Sequence, residues 1–387
     1  MKALIVFISL LLGSLNASKC QTHSQLNSEL LDLYNASELP GFAVAIVNAD
    51  GIRYINSFGY ENLSSKKEFT VDQRFNIASI SKTFIGISLM KLIDNKEIEI
   101  TTPINDILPF NVKNTAYPDI DITVEHLAHH TSGLNDDDIE SKSWYLQKEQ
   151  MLTKKLMSKG SYKDFNSWKE NNASELGFFL EDIFNKNGKN YSKRRFGKMK
   201  PGEAYNYSNI GAALAAYIVE LKSGVKYEDY VKKLLFEEFN IKDEIWKQNV
   251  SLLPTTYFQN KTKIPQYKPI LYPTGGMMLS CKELSQYLIE IIKGYDGKSK
   301  MLEKESFKTM LSLKEGGPGK YAIFWEIGDD TIGHNGGNYG VTCLMNFNPA
   351  TGIGKVFMTN ISSYESNKLL NQMIAIWDNL SKVESGF

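Results

Sequence analysis

Phe75-Asn76-Ile77-Ala78-Ser79-Ile80-Ser81-Lys82-Thr83-Phe84 puts a hydroxyl at Ser79 and an amine at Lys82, three positions apart. On a helix these two positions share a face, one turn apart, so the amine comes within hydrogen-bond reach of the hydroxyl. A serine hydroxyl is a weak nucleophile until a neighbouring base takes its proton. The pattern predicts the helix. Val71, Phe75 and Ile77 alternate with polar residues as in a short extended approach. Phe84, Ile87 and Leu92, with Ile85 and Leu89 beside them, then recur at helical spacing as far as Asn95. Ser79 falls in the first turn, where free backbone N–H groups and the helix dipole favour a developing oxyanion. Alone, Ser-x-x-Lys is a common spacing, and an N-cap serine before a solvated lysine is written the same way.

The 387 residues carry 44 basic and 44 acidic side chains, a formal net charge of zero. That length suits one large domain or two ordinary ones, and 42% hydrophobic residues supply a core. With no basic excess and no polybasic block, neither a nucleic acid nor an anionic membrane surface is an expected partner. Residues 1–17 read as a secretory signal: Lys2, an apolar run from Ala3 to Leu12, then the small residues Gly13, Ser14 and Ala17. Cleavage after Ala17 or Cys20 gives a signal peptide within 1–20, a single domain over 21–387, and a periplasmic or secreted protein. Lipid attachment at Cys20 is the lesser alternative, because Lys19 stands where lipoprotein processing takes a small residue. The run is too short to span a bilayer, and no other stretch of ~18 apolar residues follows. Cys281 and Cys343 read as small core residues rather than a disulfide.

Residues 23–39 suggest a short amphipathic helix ended by Pro40-Gly41. Residues 42–47 and 52–55 flank Asn48-Ala49-Asp50-Gly51, which predicts a β-hairpin. Residues 123–134 read as a helix stopped by Gly133. From about 135 to 200 the chain turns polar yet keeps Trp144, Tyr145, Tyr162, Phe165 and Trp168, which marks an inserted, mostly helical lobe rather than a linker. Helices are expected over 175–184, 210–221 with Gly224 as cap, 227–236, and from the Ser280/Glu283 capping box to 292. Strand-like runs follow at 321–327, 341–347 and 353–359, with glycine-rich Gly333-His334-Asn335-Gly336-Gly337 before the second and a closing helix over 365–380. Strands at both ends with helices between predict one α/β sheet assembled from the two termini.

Over residues 24–380 the chain resembles the penicillin-recognising serine hydrolases, in the branch that holds class C β-lactamases, D-alanyl-D-alanine carboxypeptidases and related esterases. The resemblance rests on three motifs in order: Ser79-x-x-Lys82, Tyr207-x-Asn209 and His334-x-Gly336. Pro40-Gly41, His130-Thr131-Ser132-Gly133-Leu134, Pro201-Gly202 and Gly275-Gly276 match flanking phrases. It implies a β-lactamase/transpeptidase-like antiparallel sheet flanked by helices. It also implies that Ser79 is acylated, that Lys82 and Tyr207 share its proton, and that Asn209 orients Lys82 or the substrate amide. The backbone N–H groups of Ser79 and Gly337 would form the oxyanion hole, and no cofactor or metal is needed. A phenol serves as base only if a cation lowers its pKa, a role open to Lys82.

Other candidates are set aside. Lys222-Ser223-Gly224 repeats the third motif but follows a helix, and reads as a C-cap. His126, His129 and His130 have metal-like spacing without the glutamate of a zinc-protease motif. No Gly-x-Ser-x-Gly elbow occurs, and Tyr205 lacks an asparagine two residues on. Where class C β-lactamases carry lysine in the third motif, this chain has His334, a group ordinarily titrating near 6.5. The expectation is a serine acyl hydrolase acting on a small-molecule or peptide substrate, a D-amino-acid amide or an ester. A class C-type β-lactamase and a non-catalytic penicillin-binding sensor are the alternatives.

Overall fold

Strand β1 (Gly41–Asn48) is buried along all but its last residue. Phe42, Val44 and Ile46 face one apolar cluster, and Ala43, Ala45 and Val47 face another. A strand covered on both faces has to be apolar at every position, and this one is. In the computed structural model the described residues are 23–136, 139–146, 154, 157–239, 241, 246 and 253–382. The expected export segment at 1–20 lies outside them.

The turn at Asp50-Gly51 returns the chain into β2 (Gly51–Asn62), followed by the short β3 (Lys67–Glu68). Near the other end come β4 (Glu326–Ile327), β5 (Ile332–Asn338), β6 (Val341–Asn348) and β7 (Ile353–Thr359). Together they form an antiparallel seven-stranded sheet in the order β3-β2-β1-β7-β6-β5-β4. The two termini meet where β1 pairs with β7, from Phe42 opposite Thr359 to Val47 opposite Gly354.

The helices in chain order are α1 (His23–Asn35), α2 (Ser81–Asp94), α3 (Val124–Ala128), α4 (Lys159–Trp168), α5 (Leu176–Phe184), α6 (Asn209–Ser223), α7 (Tyr227–Phe239), α8 (Cys281–Tyr295), α9 (Lys304–Met310) and α10 (Asn367–Ser381). α1 and α10 cover one sheet face through Leu26, Leu30, Leu369, Met373 and Ile376. The larger core on the other face takes in α2, α5, α6 and α8. α8 starts with the capping box expected of Ser280 and Glu283, and Gly224 closes α6 in the left-handed conformation at φ 72°. Such caps contribute roughly 1 kcal/mol each. Cys281 and Cys343 are buried and unbridged.

Three expectations are corrected. Residues 321–325 are not a strand. Their backbone reaches loop and helix-end carbonyls instead: Phe324 N donates to Ala128 O at 3.0 Å and Ile323 N to Met310 O at 3.2 Å. The glycine-rich stretch at 333–337 does precede the strand over 341–348, but it is itself a strand, lying inside β5. The helix expected to run to Gly133 ends at Ala128, because His130 turns the chain with φ 55°. The inserted region divides in two. α5 joins the main core, while Phe165 and Trp168 of α4 pack with Trp144, Phe258, Tyr267 and Tyr339 in a separate aromatic cluster.

Candidate active site

Ser79 sits half-buried in a single 3-10 turn (Ala78–Ile80) directly ahead of α2. Ala78 holds φ 46°, a left-handed conformation that a residue with a Cβ adopts only when its surroundings impose it. They do so here. Ala78 N donates to Asn76 Oδ1 at 2.9 Å, Ile77 N donates to Met277 O at 2.9 Å, and Ser81 Oγ donates to Ala78 O at 2.6 Å.

Lys82 is fully buried, with Nζ 3.1 Å from Ser79 Oγ and 2.6 Å from Thr274 O. Burial pulls its ammonium down to about 7, against the opposing pull of the Asp136 carboxylate. Near neutrality a large share of molecules therefore carries an amine lone pair beside the hydroxyl.

Tyr207 stands over Lys82, whose Nζ is 5.0 Å from the ring centroid. Burial raises the phenol pKa, and a hydrogen bond with Ser79 only partly offsets this. The expected lowering by a cation does not occur, so Tyr207 stays protonated near neutrality. Ser208 caps α6 by accepting from Gly211 N at 3.0 Å. Asn209 contributes its backbone N–H to Asp136 Oδ2. Among the described residues its side chain makes no hydrogen bond to protein and does not orient Lys82.

The third wall is β5. His334 is 3% exposed, and its Nδ1 lies 2.7 Å from Asn335 O. A carbonyl only accepts, so Nδ1 carries the proton and Nε2 presents a lone pair that has no partner among the described residues. Burial, and then the Lys82 charge, lower this histidine to about 3. The expectation of a cation titrating near 6.5 is corrected: His334 is neutral across physiological pH. Gly336 presses on the Ser79 turn. A Cβ there would overlap Ile77 O and stand 3.2 Å from Ser79 N. Gly337 lies under the Tyr364 ring, which is 76% exposed.

Asn76 links these walls. Its Oδ1 accepts from Asn338 Nδ2 at 2.8 Å, and its Nδ2 donates to Gly275 O at 2.9 Å. From Gly337 and Asn338 a cleft of about 1250 Å³ opens towards Trp144, Asp164, Trp168 and Tyr339. The inserted region thus borders the site.

Sequence reading missed two neighbours. His130 is buried under the Tyr207 ring at 4.4 Å, and Asp136 receives the start of α6. The His130–Leu134 phrase was visible as a string, but its side-chain targets lie more than 70 residues away. The three neighbouring histidines do not converge. His126 Nδ1 accepts from Thr123 N, His129 Nδ1 meets Tyr321 O, and His130 Nδ1 accepts from Ser208 N. Among the described residues no cluster of His, Cys, Asp and Glu could hold a metal ion, and no helix is long and apolar enough to cross a membrane.

The beta-lactamase family model matches residues 28–376. Protein flp of Staphylococcus aureus (strain MW2) is 22% identical over 348 residues, 87% of this chain and 62% of its own length. The chain therefore spans less than two-thirds of that relative. The octameric penicillin-binding protein homologue from Pyrococcus abyssi superposes with TM-score 0.67 and 22% identity, covering 94% of this chain and 78% of that one. D-amino acid amidase from Ochrobactrum anthropi SV3, solved with D-phenylalanine, superposes with TM-score 0.67 and 18% identity, covering 95% and 100%. At these identities the structural likeness establishes a shared fold.

Proposed function

The chain belongs to the beta-lactamase family, and from that premise we propose that it is an exported serine acyl hydrolase forming an acyl-enzyme on Ser79, with the amide of a D-amino acid or short peptide, or an ester, as substrate. The observation that carries this reading is the fully buried Lys82 amine, held near pKa 7 and 3.1 Å from Ser79 Oγ. A base with a pKa near the working pH combines the right protonation state with a useful driving force.

Neutral Lys82 takes the Ser79 proton as Oγ bonds to the substrate carbonyl carbon. The oxyanion lies between the N–H groups of Ser79 and Gly337. When the C–N or C–O bond breaks, the protonated phenol of Tyr207 donates to the leaving amine or alkoxide, and the Lys82 ammonium restores the phenol. Water then attacks the ester on Ser79 with the same groups as base and acid. Asn209, whose side chain makes no hydrogen bond to protein among the described residues, is left to meet a substrate amide.

Neutral His334 supports uncharged amides and esters over anionic β-lactams, because no fixed cation stands at the third motif. The amidase among the structural neighbours supports a D-amino-acid amide as one member of that class. Export rests on the apolar run after Lys2.

A substrate panel tests this reading: a short-chain nitrophenyl ester, a D-amino-acid amide, a D-Ala-D-Ala peptide and nitrocefin, with mass spectrometry of Ser79. Ester or amide turnover above nitrocefin turnover is the expected result. Faster nitrocefin turnover overturns the substrate class. A stable Ser79 adduct without turnover on any member of the panel replaces the hydrolase with a sensor.

A further inference from the structure

Residues 206–210 carry Tyr207 and Asn209, and a second segment, 130–136, holds them at many points. His130 O accepts from Asn206 N at 2.7 Å, and Leu134 O accepts from Asn206 Nδ2 at 2.6 Å. His130 Nδ1 accepts from Ser208 N at 3.2 Å, which fixes its neutral tautomer with the proton on Nε2. The His130 ring underlies the Tyr207 ring at 4.4 Å and 31°. At the centre of the contact is Asp136. Its Oδ1 accepts from Ser208 Oγ at 2.8 Å and Ile210 N at 3.3 Å, and its Oδ2 accepts from Asn209 N. Burial raises the Asp136 carboxyl above its ordinary value, while the three donors aimed at it and the positive end of α6 oppose this and favour the acceptor-only ionised form.

We propose that Asp136 is a positioning residue of the acyl-transfer site: it docks Tyr207 and Asn209 on residues 130–136 and supplies a carboxylate whose charge acts on Lys82. The inference rests on the reading of Ser79 and Lys82 as nucleophile and base. Ser79 and Tyr207 contact Lys82, and the groups that act on it through charge or titration are the Asp136 carboxylate from the docked segment, neutral His130 and neutral His334. Of these, only Asp136 carries a negative charge. Glu140 and Tyr207 are the other titratable groups within reach of Asp136. The carboxylate stabilises the Lys82 ammonium, so it sets how high the pH must rise before the base is free. Without it, Lys82 loses its proton at lower pH.

The test is the pH dependence of kcat/KM on a neutral ester for the wild type, D136N and S208A, each checked for folding by thermal melting. D136N keeps the shape but removes the charge and leaves one acceptor oxygen where two serve Ser208, Asn209 and Ile210. Its acidic limb is expected to move down by about one pH unit, with kcat about tenfold lower. S208A loosens the dock but keeps the carboxylate. Its kcat is expected to fall several-fold with the limb unmoved. A folded D136N with the wild-type limb overturns the electrostatic role. S208A with wild-type kcat overturns the docking role, and this arm stands even if D136N does not fold. A wild type that turns over no substrate overturns the reading beneath, and the inference falls with it.

Discussion

The two faces of the sheet do different work with the same strands. Behind β1, Phe42, Val44 and Ile46 meet α1 and α10 in an apolar cluster that owes its stability to burial alone. In front, the larger core also holds polar groups: Lys82, His130 and His334 are buried and Asp136 is half-buried. Burial that stabilises an apolar side chain penalises a charge. The front face converts that penalty into chemistry: it brings an ordinary lysine down to about 7 and keeps a histidine neutral.

Substitutions should separate the two faces. Ser79→Ala removes the proposed nucleophile and is expected to cut kcat by about 10⁴-fold or more; retained turnover in a steady-state assay contradicts the mechanism. Lys82→Met is expected to cost about 10³-fold and to abolish the pH dependence near 7, measured on the same ester. Gly336→Ala pushes a methyl group into the Ile77 carbonyl and is expected to lower kcat about 100-fold. A G336A variant of wild-type rate would show that β5 does not press on the Ser79 turn. Phe42→Ala on the back face should do the reverse. It packs against Phe58 at 5.0 Å and Phe357 at 5.8 Å, so its loss should cost about 3–5 kcal/mol in denaturant unfolding. Per folded molecule, kcat should stay within about twofold.

Legibility follows the range of the interactions. Local patterns gave the hairpin at Asp50-Gly51 and the helices at both ends of the chain, because apolar runs, helical spacing and turn chemistry are written in nearby residues. Ser79 and Lys82 were readable as a spacing, with Tyr207 and His334 as motif members. What could not be read was the state of these groups. His334 spells a titrating histidine, and only its burial beside Lys82 makes it neutral. Tyr207 spells a possible base, and burial reverses that. Asp136 left no local mark, since its main partner, Ser208, is 72 residues on. Residues 321–325 spelled a strand through apolar content, but their hydrogen bonds go to Ala128 and Met310.

The most direct measurement is the pre-steady-state rate of Ser79 acylation by a neutral nitrophenyl ester as a function of pH, with the adduct located by peptide mass spectrometry. Lys82 is active when neutral, so the rate should rise with pH and reach half its plateau near pH 7, with the acyl group on Ser79. An adduct on another residue, or a rate that climbs without a plateau towards the ordinary lysine pKa near 10, would contradict the account.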